Sequence, residues 1–169
     1  MDTLLLLEKI TLRPLEMRDF QSVLLWSQDD DFCETNGWEL NRSPEELASW
    51  WQKCVENKNA DFIRIGIALN YLLIGYGDLA CIHGSEAEIG IAIGESSLWG
   101  QGIGQAATVK LIDYGKTIGI TTVLAETHKT NVRARKMLER IGFEEISRNG
   151  CELYKGIETV LIQYKLVCQ

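Results

Sequence analysis

Three glycines at alternate positions, Gly100, Gly102 and Gly104, stand in the stretch Trp99-Gly100-Gln101-Gly102-Ile103-Gly104-Gln105-Ala106-Ala107, between two different periodicities. Before them, Glu88-Ile89-Gly90-Ile91-Ala92-Ile93 reads as a strand. After them, Ala107, Leu111, Tyr114 and Ile118 fall at i, i+4, i+7 and i+11, one face of a helix. This part of the chain is therefore committed to a strand followed by a helix whose first turn is bare of side chains. Several unpaired N–H groups then point outward at the positive end of the helix dipole. Such a junction suits an anion, most naturally phosphate. A flexible turn is the competing reading of a glycine cluster standing alone.

At 169 residues, the chain suits a single domain spanning residues 1–169 with a substantial core. A hydrophobic share of 46% and only two prolines argue against disorder. The formal net charge of -7 opposes broad nucleic-acid binding and is compatible with a cationic substrate. Cys33, Cys54, Cys81, Cys151 and Cys168 form no CxxC pair, which favours reduced thiols in a cytoplasmic protein over a disulfide frame or metal site. Leu4–Leu7 is an apolar run that Glu8 ends, too brief for a membrane span and with no basic region before it. No membrane partner, signal peptide or metal is expected.

Taken in order, residues 9–14 read as a first strand ended by Pro14, and Asp19–Gln28 as a helix with Phe20, Val23 and Leu24 inward. The acid-rich segment 29–39 reads as a loop carrying Phe32 and Trp38. Ser43, Pro44 and Glu46 announce a helix through a capping box, with Leu47, Trp50, Trp51, Cys54 and Val55 as its buried stripe. Strands at 62–69 and 72–82 are joined at Asn70-Tyr71 as a hairpin, and a fourth occupies about 86–94. A short strand at 121–126 follows the central helix. The last helix, 131–141, carries Ala134, Met137, Leu138 and Ile141 on one face and meets Gly142 as its C′ residue. Strands at 143–148 and 158–167 close the sheet. The expected fold is one mixed α/β unit.

With these residues in it, that order resembles the GNAT superfamily of acyl-CoA N-acyltransferases. The family's pyrophosphate motif, Gln/Arg-x-x-Gly-x-Gly/Ala, is met at Gly102 and Gly104 and departs at Trp99. A tryptophan there, with Glu88-Ile89-Gly90 before it, is similar to the ribosomal-protein N-terminal acetyltransferase branch. A second signature appears as Asn131, Ala134, Leu138, Gly142 and Phe143, and a third echo as Leu12-Arg13-Pro14. The resemblance implies a mostly antiparallel mixed sheet of about seven strands with about four helices, splayed between strands four and five. It further implies acetyl-CoA as cosubstrate and transfer of its acetyl group to a primary amine without an acyl-enzyme. The acceptor classes left open are a protein N-terminus, a polyamine, an aminoglycoside and other small amines. A homodimer is compatible with the pattern.

Coenzyme A carries a pyrophosphate that Gly102, Ile103, Gly104, Gln105 and Ala106 suit as amide donors, with Gln101 beside them. By resemblance, the pantetheine arm pairs with the edge of strand four, and backbone N–H groups around Ile91, Ala92 and Ile93 face the oxyanion. Asn131 either contacts that arm, caps the last helix, or does both. Glu88 is the favoured base, acting directly or through water, with an exposed charge as the bland alternative. The tyrosine many members use as general acid falls at Leu138. Tyr154, from a later loop, and His128, after the fifth strand, are the remaining acid–base candidates; a packing aromatic and a surface histidine are their bland readings. Asp30, Glu34, Trp38 and Glu39 lie in the segment that, by resemblance, walls the acceptor site, where a solvated acidic loop is the rival. No cysteine has an activating partner.

Two other functions fit parts of the chain. Gly102, Gly104 and Ala107 satisfy a GxGxxA dinucleotide fingerprint with Glu126 downstream, but residues 95–101 intervene after the strand and too little chain follows. A non-catalytic acyl-CoA-binding module keeps the fold without the chemistry.

Overall fold

The computed structural model describes residues 2–169. The elements run α1 (Thr3–Lys9), β1 (Ile10–Arg13), a 3-10 turn (Met17–Asp19), α2 (Phe20–Trp26), α3 (Asp30–Asn36) and α4 (Pro44–Glu56). They continue β2 (Ile63–Leu69), β3 (Leu72–His83), β4 (Glu86–Ile93), a 3-10 turn (Ser96–Leu98) and α5 (Ile103–Thr117). The chain closes with β5 (Thr122–His128), α6 (Val132–Ile141), β6 (Glu144–Ser147), β7 (Cys151–Tyr154) and β8 (Ile157–Val167). This is a mixed α/β fold built on an eight-stranded sheet in the order β1-β2-β3-β4-β5-β8-β6, with β7 on β8.

Local chemistry accounts for most boundaries. Asn70 and Tyr71 adopt φ of 49° and 71°, the paired left-handed residues of a tight hairpin turn. Ser43 Oγ accepts from the Glu46 N–H at 3.2 Å and starts α4. Gly142, at φ 114°, ends α6.

Every pairing is antiparallel except β4 with β5, which the α5 crossover makes parallel. Those two strands pair only over Glu86–Glu88 and Thr122–Leu124. Beyond Glu88 they part. From Ile89 to Ile93, β4 therefore carries an inner edge with no strand partner among the described residues.

The core lies on both faces of the sheet. Leu79, Ile89, Val123 and Ile162 pack with Leu111 and Ile112 of α5 and Leu138 of α6. Tyr76 and Ala92, partners in register, face the other way among Val23, Trp26, Phe32 and Trp51. Leu6 and Ile10 join Ile67, Ile103 and Ala106 in a third cluster. Gly94 is required where β4 ends, because a Cβ there would lie 2.0 Å from the Trp26 ring.

Three segments differ from the sequence expectation. Residues 29–39 are not a loop: α3 forms because Asp29 caps the Phe32 N–H and Gly37, at φ 67°, ends the helix. The apolar run at 4–7 is helical, capped by Asp2. Cys151–Tyr154 is a strand, since Lys155 and Gly156 take φ of 50° and 75° and fold it back on β8.

Candidate active site

The glycine stretch folds into a bare helix N-terminus. Gly102 is the N-cap of α5 at φ 85° and offers no side-chain cap. The first helical bond runs from the Ala106 N–H to the Gly102 carbonyl at 3.0 Å. Helix geometry therefore leaves Ile103, Gly104 and Gln105 with N–H groups lacking a helical acceptor. Ala106, expected among the free donors, has already used its N–H. Gln101 is exposed and donates its side-chain amide to the Ser97 carbonyl at 3.0 Å.

Trp99, which replaces the polar residue of the family motif, anchors the loop. Its indole N–H donates to the Ile93 carbonyl at 3.0 Å, and the Arg133 guanidinium lies 4.6 Å from its ring centroid. The preceding turn is held from elsewhere: the Ser96 N–H donates to the Asp29 carboxylate at 3.0 Å.

Two cavities open along the split between β4 and β5. The first, about 220 Å³, reaches the helix N-terminus and is lined by Ile93, Gly102, Gly104, Gln105, Arg133 and Arg140 among others. The second, about 260 Å³, is lined by Gly90, Glu126, Thr127, His128, Leu138 and Glu152 among others. Thr35, Asn36, Ile91, Asn131, Ala134 and Met137 line both, so the two form one channel. Charge is separated along it: arginines without carboxylates line the first part, and carboxylates without lysine or arginine line the second.

The expected site residues divide accordingly. Ile91, Ile93, Gly102, Gly104, Gln105 and Asn131 come together along the channel, whereas the side chains of Ala92, Ile103 and Ala106 are buried in the core. Asn131 Oδ1 accepts from the Ala134 N–H at 3.1 Å, so the residue caps α6 while also facing the channel.

His128 lines the second cavity, and the Tyr154 ring, which lines neither cavity, packs against it with ring centroids 4.9 Å apart. Tyr154 stands on β7, and its hydroxyl is 3.3 Å from Thr35 Oγ1. His128 Nε2 lies 3.7 Å from the Glu152 carboxylate, while its Nδ1 is buried without a hydrogen-bond partner. Glu88 lines neither cavity: it is exposed, in register with Ala80 and Leu124, where β4 and β5 are still paired.

On α3, only Thr35 and Asn36 reach the channel. Asp30, Glu34 and Glu39 are exposed, and Glu34 shares Lys155 with Asp31 at 3.8 Å each. Trp38 is a packing residue, with ring centroids 4.9 Å from Phe32 and 5.0 Å from Trp50. Its indole donates to the Tyr76 hydroxyl at 3.1 Å.

Arg133 and Arg140 were not legible as site residues, although Arg133, Met137 and Arg140 share one face of α6 at i, i+4 and i+7. All five cysteines are free thiols. Burial, then the charges of Asp30 and Asp29, push the Cys33 thiol above its ordinary value, the opposite of activation. Among the described residues, no cluster of three histidine, cysteine or acidic side chains is placed to hold a metal, and no helix is long and apolar enough to cross a membrane.

Comparison with known proteins finds the family described as "Acetyltransferase (GNAT) domain" over residues 9–144. An uncharacterized protein of Methanocaldococcus jannaschii is 26% identical over 144 residues, which are 83% of this chain and 29% of that protein. The chain thus spans under a third of that relative's length. A crystal structure described as "Probable acetyltransferase" is 26% identical with a TM-score of 0.76, covering 95% of this chain and 93% of the other. The spermidine N-acetyltransferase of Vibrio cholerae, in complex with CoA and spermine, has a TM-score of 0.81 at 21% identity, covering 95% and 96%. That last likeness concerns the fold.

Proposed function

The chain belongs to the GNAT acetyltransferase family, and on that premise we propose that it transfers acetyl from acetyl-coenzyme A directly to a primary amine. The observation that carries this reading is the channel running from a bare helix N-terminus to His128, whose ring packs against Tyr154.

The pyrophosphate takes the N–H groups of Ile103, Gly104 and Gln105, with Arg133 and Arg140 supplying positive charge nearby. The pantetheine arm runs along the unpaired β4 edge from Ile93 toward Ile89 as an added strand, with Asn131 beside it. The acetyl carbonyl then lies over β4, whose alternate N–H groups stabilise the oxyanion.

An alkyl ammonium is mostly protonated at neutral pH and must lose a proton before it attacks. His128 accepts that proton, taking the part first considered for Glu88, which lies outside both cavities. Nitrogen attacks the carbonyl carbon, the C–S bond breaks, and the thiolate leaves as free coenzyme A after protonation. Tyr154, whose ring lies behind His128 and whose hydroxyl meets the channel at Thr35, is the donor for that last step. The carboxylates of Glu126 and Glu152 favour an acceptor that arrives as a cation, such as a polyamine, an aminoglycoside or a protein N-terminus.

Thiol release from acetyl-CoA across a panel of amines tests the proposal. We expect turnover with at least one cationic amine, a fall of about 100-fold in kcat for H128Q or Y154F, and unchanged coenzyme A affinity in both. Tight coenzyme A binding with no thiol released by any amine would instead mark a binding module.

A further inference from the structure

Asp29 lies in neither cavity, yet its carboxylate holds both ends of the channel wall. One oxygen accepts from the Phe32 N–H at 3.1 Å and caps α3, which carries Thr35 and Asn36 into both cavities. The other accepts from the Ser96 N–H at 3.0 Å, where the turn leading to Trp99 and the glycines begins. Burial would raise this carboxyl, but its bonds from Ser96 and then Phe32 outweigh that and hold it below the ordinary aspartate range. The segment it anchors is close-fitting at both ends: the Asp29 N–H donates to the Trp26 carbonyl at 3.0 Å, and Gly94 sits against the Trp26 ring. One charged group thus holds the first turn of α3 and, 67 positions further along the chain, the Ser96 N–H that begins the second turn.

Resting on the reading of the channel as a coenzyme A and amine site, we infer that Asp29 is a positioning residue coupling the phosphate end to the acceptor wall. Filling the helix N-terminus orders the 95–102 loop. Asp29 transmits that order to α3, so coenzyme A binding prepares the wall that the amine meets. The bond is charge-assisted, and losing it leaves the Ser96 N–H without its acceptor.

Asparagine separates this role from capping. It caps a helix as well as aspartate does, but with its oxygen on Phe32 it turns an NH₂ toward the Ser96 donor. Ser96→Pro removes the donor from the other side. Proline is tolerated at the first position of a helical turn, and Glu95 already has the extended backbone a pre-proline residue needs.

The experiment is coenzyme A titration by calorimetry, with deuterium exchange of the 32–36 amides, on the wild type, D29N and S96P. We expect coenzyme A to slow exchange in α3 of the wild type. In each variant we expect that protection to vanish and coenzyme A affinity to fall about tenfold, with the double variant no worse than either single one. Wild-type affinity and protection in a folded D29N or S96P would overturn the coupling while leaving the site reading intact. A wild type that binds no coenzyme A would overturn both. Should one variant fail to fold, the other carries the same test.

Discussion

Asp19 is a carboxylate with 7% of its side chain exposed, held by Arg13 at 2.7 and 2.9 Å and by the Glu16 N–H at 2.9 Å. Burial alone would raise its titration point. The hydrogen bonds from Arg13 and Glu16, with the charges of Arg13 and Arg18, overcome that and place it below the ordinary aspartate value. Because the folded value is the depressed one, the unfolded chain takes up the proton first as pH falls. The stabilisation is therefore complete above about pH 4, near the unfolded aspartate value, and drains away as pH drops through the folded value. D19N should lose about 2 kcal/mol at pH 7 and show a flatter melting temperature between pH 5 and 2 than the wild type. Parallel curves would show that another carboxylate sets the acid limit. Arg13, one of the residues carrying the family resemblance, is thus a clamp between β1 and the turn before α2. It is not a channel residue.

At the scale of elements, what was legible in the sequence is what depends on neighbours a few residues apart. The glycine N-terminus, the Ser43 cap, the Asn70-Tyr71 turn and the Asn131–Gly142 frame of α6 all fold as their spacing indicates. The seven-residue α3 was hidden because three of its residues are exposed acids and its apolar pair, Phe32 and Cys33, is adjacent rather than a helical turn apart. Its end signals, Asp29 and Gly37, were nevertheless present. β7 shows no alternation because its first three residues are exposed, and it exists through its ladder with β8. The Thr35–Tyr154 contact, spanning 119 positions, follows from that return and leaves no local trace. Asn131 joins the two kinds of information, since the cap is local and the channel contact is not. N131A should cost about 1 kcal/mol, and N131S should restore it because serine caps equally well. Coenzyme A affinity should drop several-fold in both variants, as serine cannot reproduce the amide's reach. Recovery of affinity as well as stability in N131S would reduce Asn131 to a cap alone.

Across the whole molecule, charge is arranged along the split sheet rather than merely summed. The net charge of -7 hides a cationic stretch formed by Arg133 and Arg140 at one end of the channel. At the other end, Glu126 and Glu152 face the second cavity, while Asp30 and Glu34 stand exposed on α3, whose Thr35 and Asn36 line it, and Glu39 stands exposed just after that helix. Two partners of opposite sign can therefore approach from opposite ends without competing for the same groups. A unit charge acting on a cation at about 10 Å in water is worth about 0.4 kcal/mol, so three carboxylates together give a factor of roughly eight at low salt. Neutralising Asp30, Glu34 and Glu39 together should thus lower kcat/KM for a cationic amine by about that factor, leave coenzyme A affinity alone, and lose its effect as salt shortens the screening length below about 8 Å. R133Q/R140Q should do the reverse, weakening coenzyme A at least tenfold while the amine's own KM holds. If the acidic triple variant matched the wild type at low salt, these three exposed carboxylates would be mere solvation. Attraction of the acceptor would then fall to Glu126 and Glu152 inside the cavity.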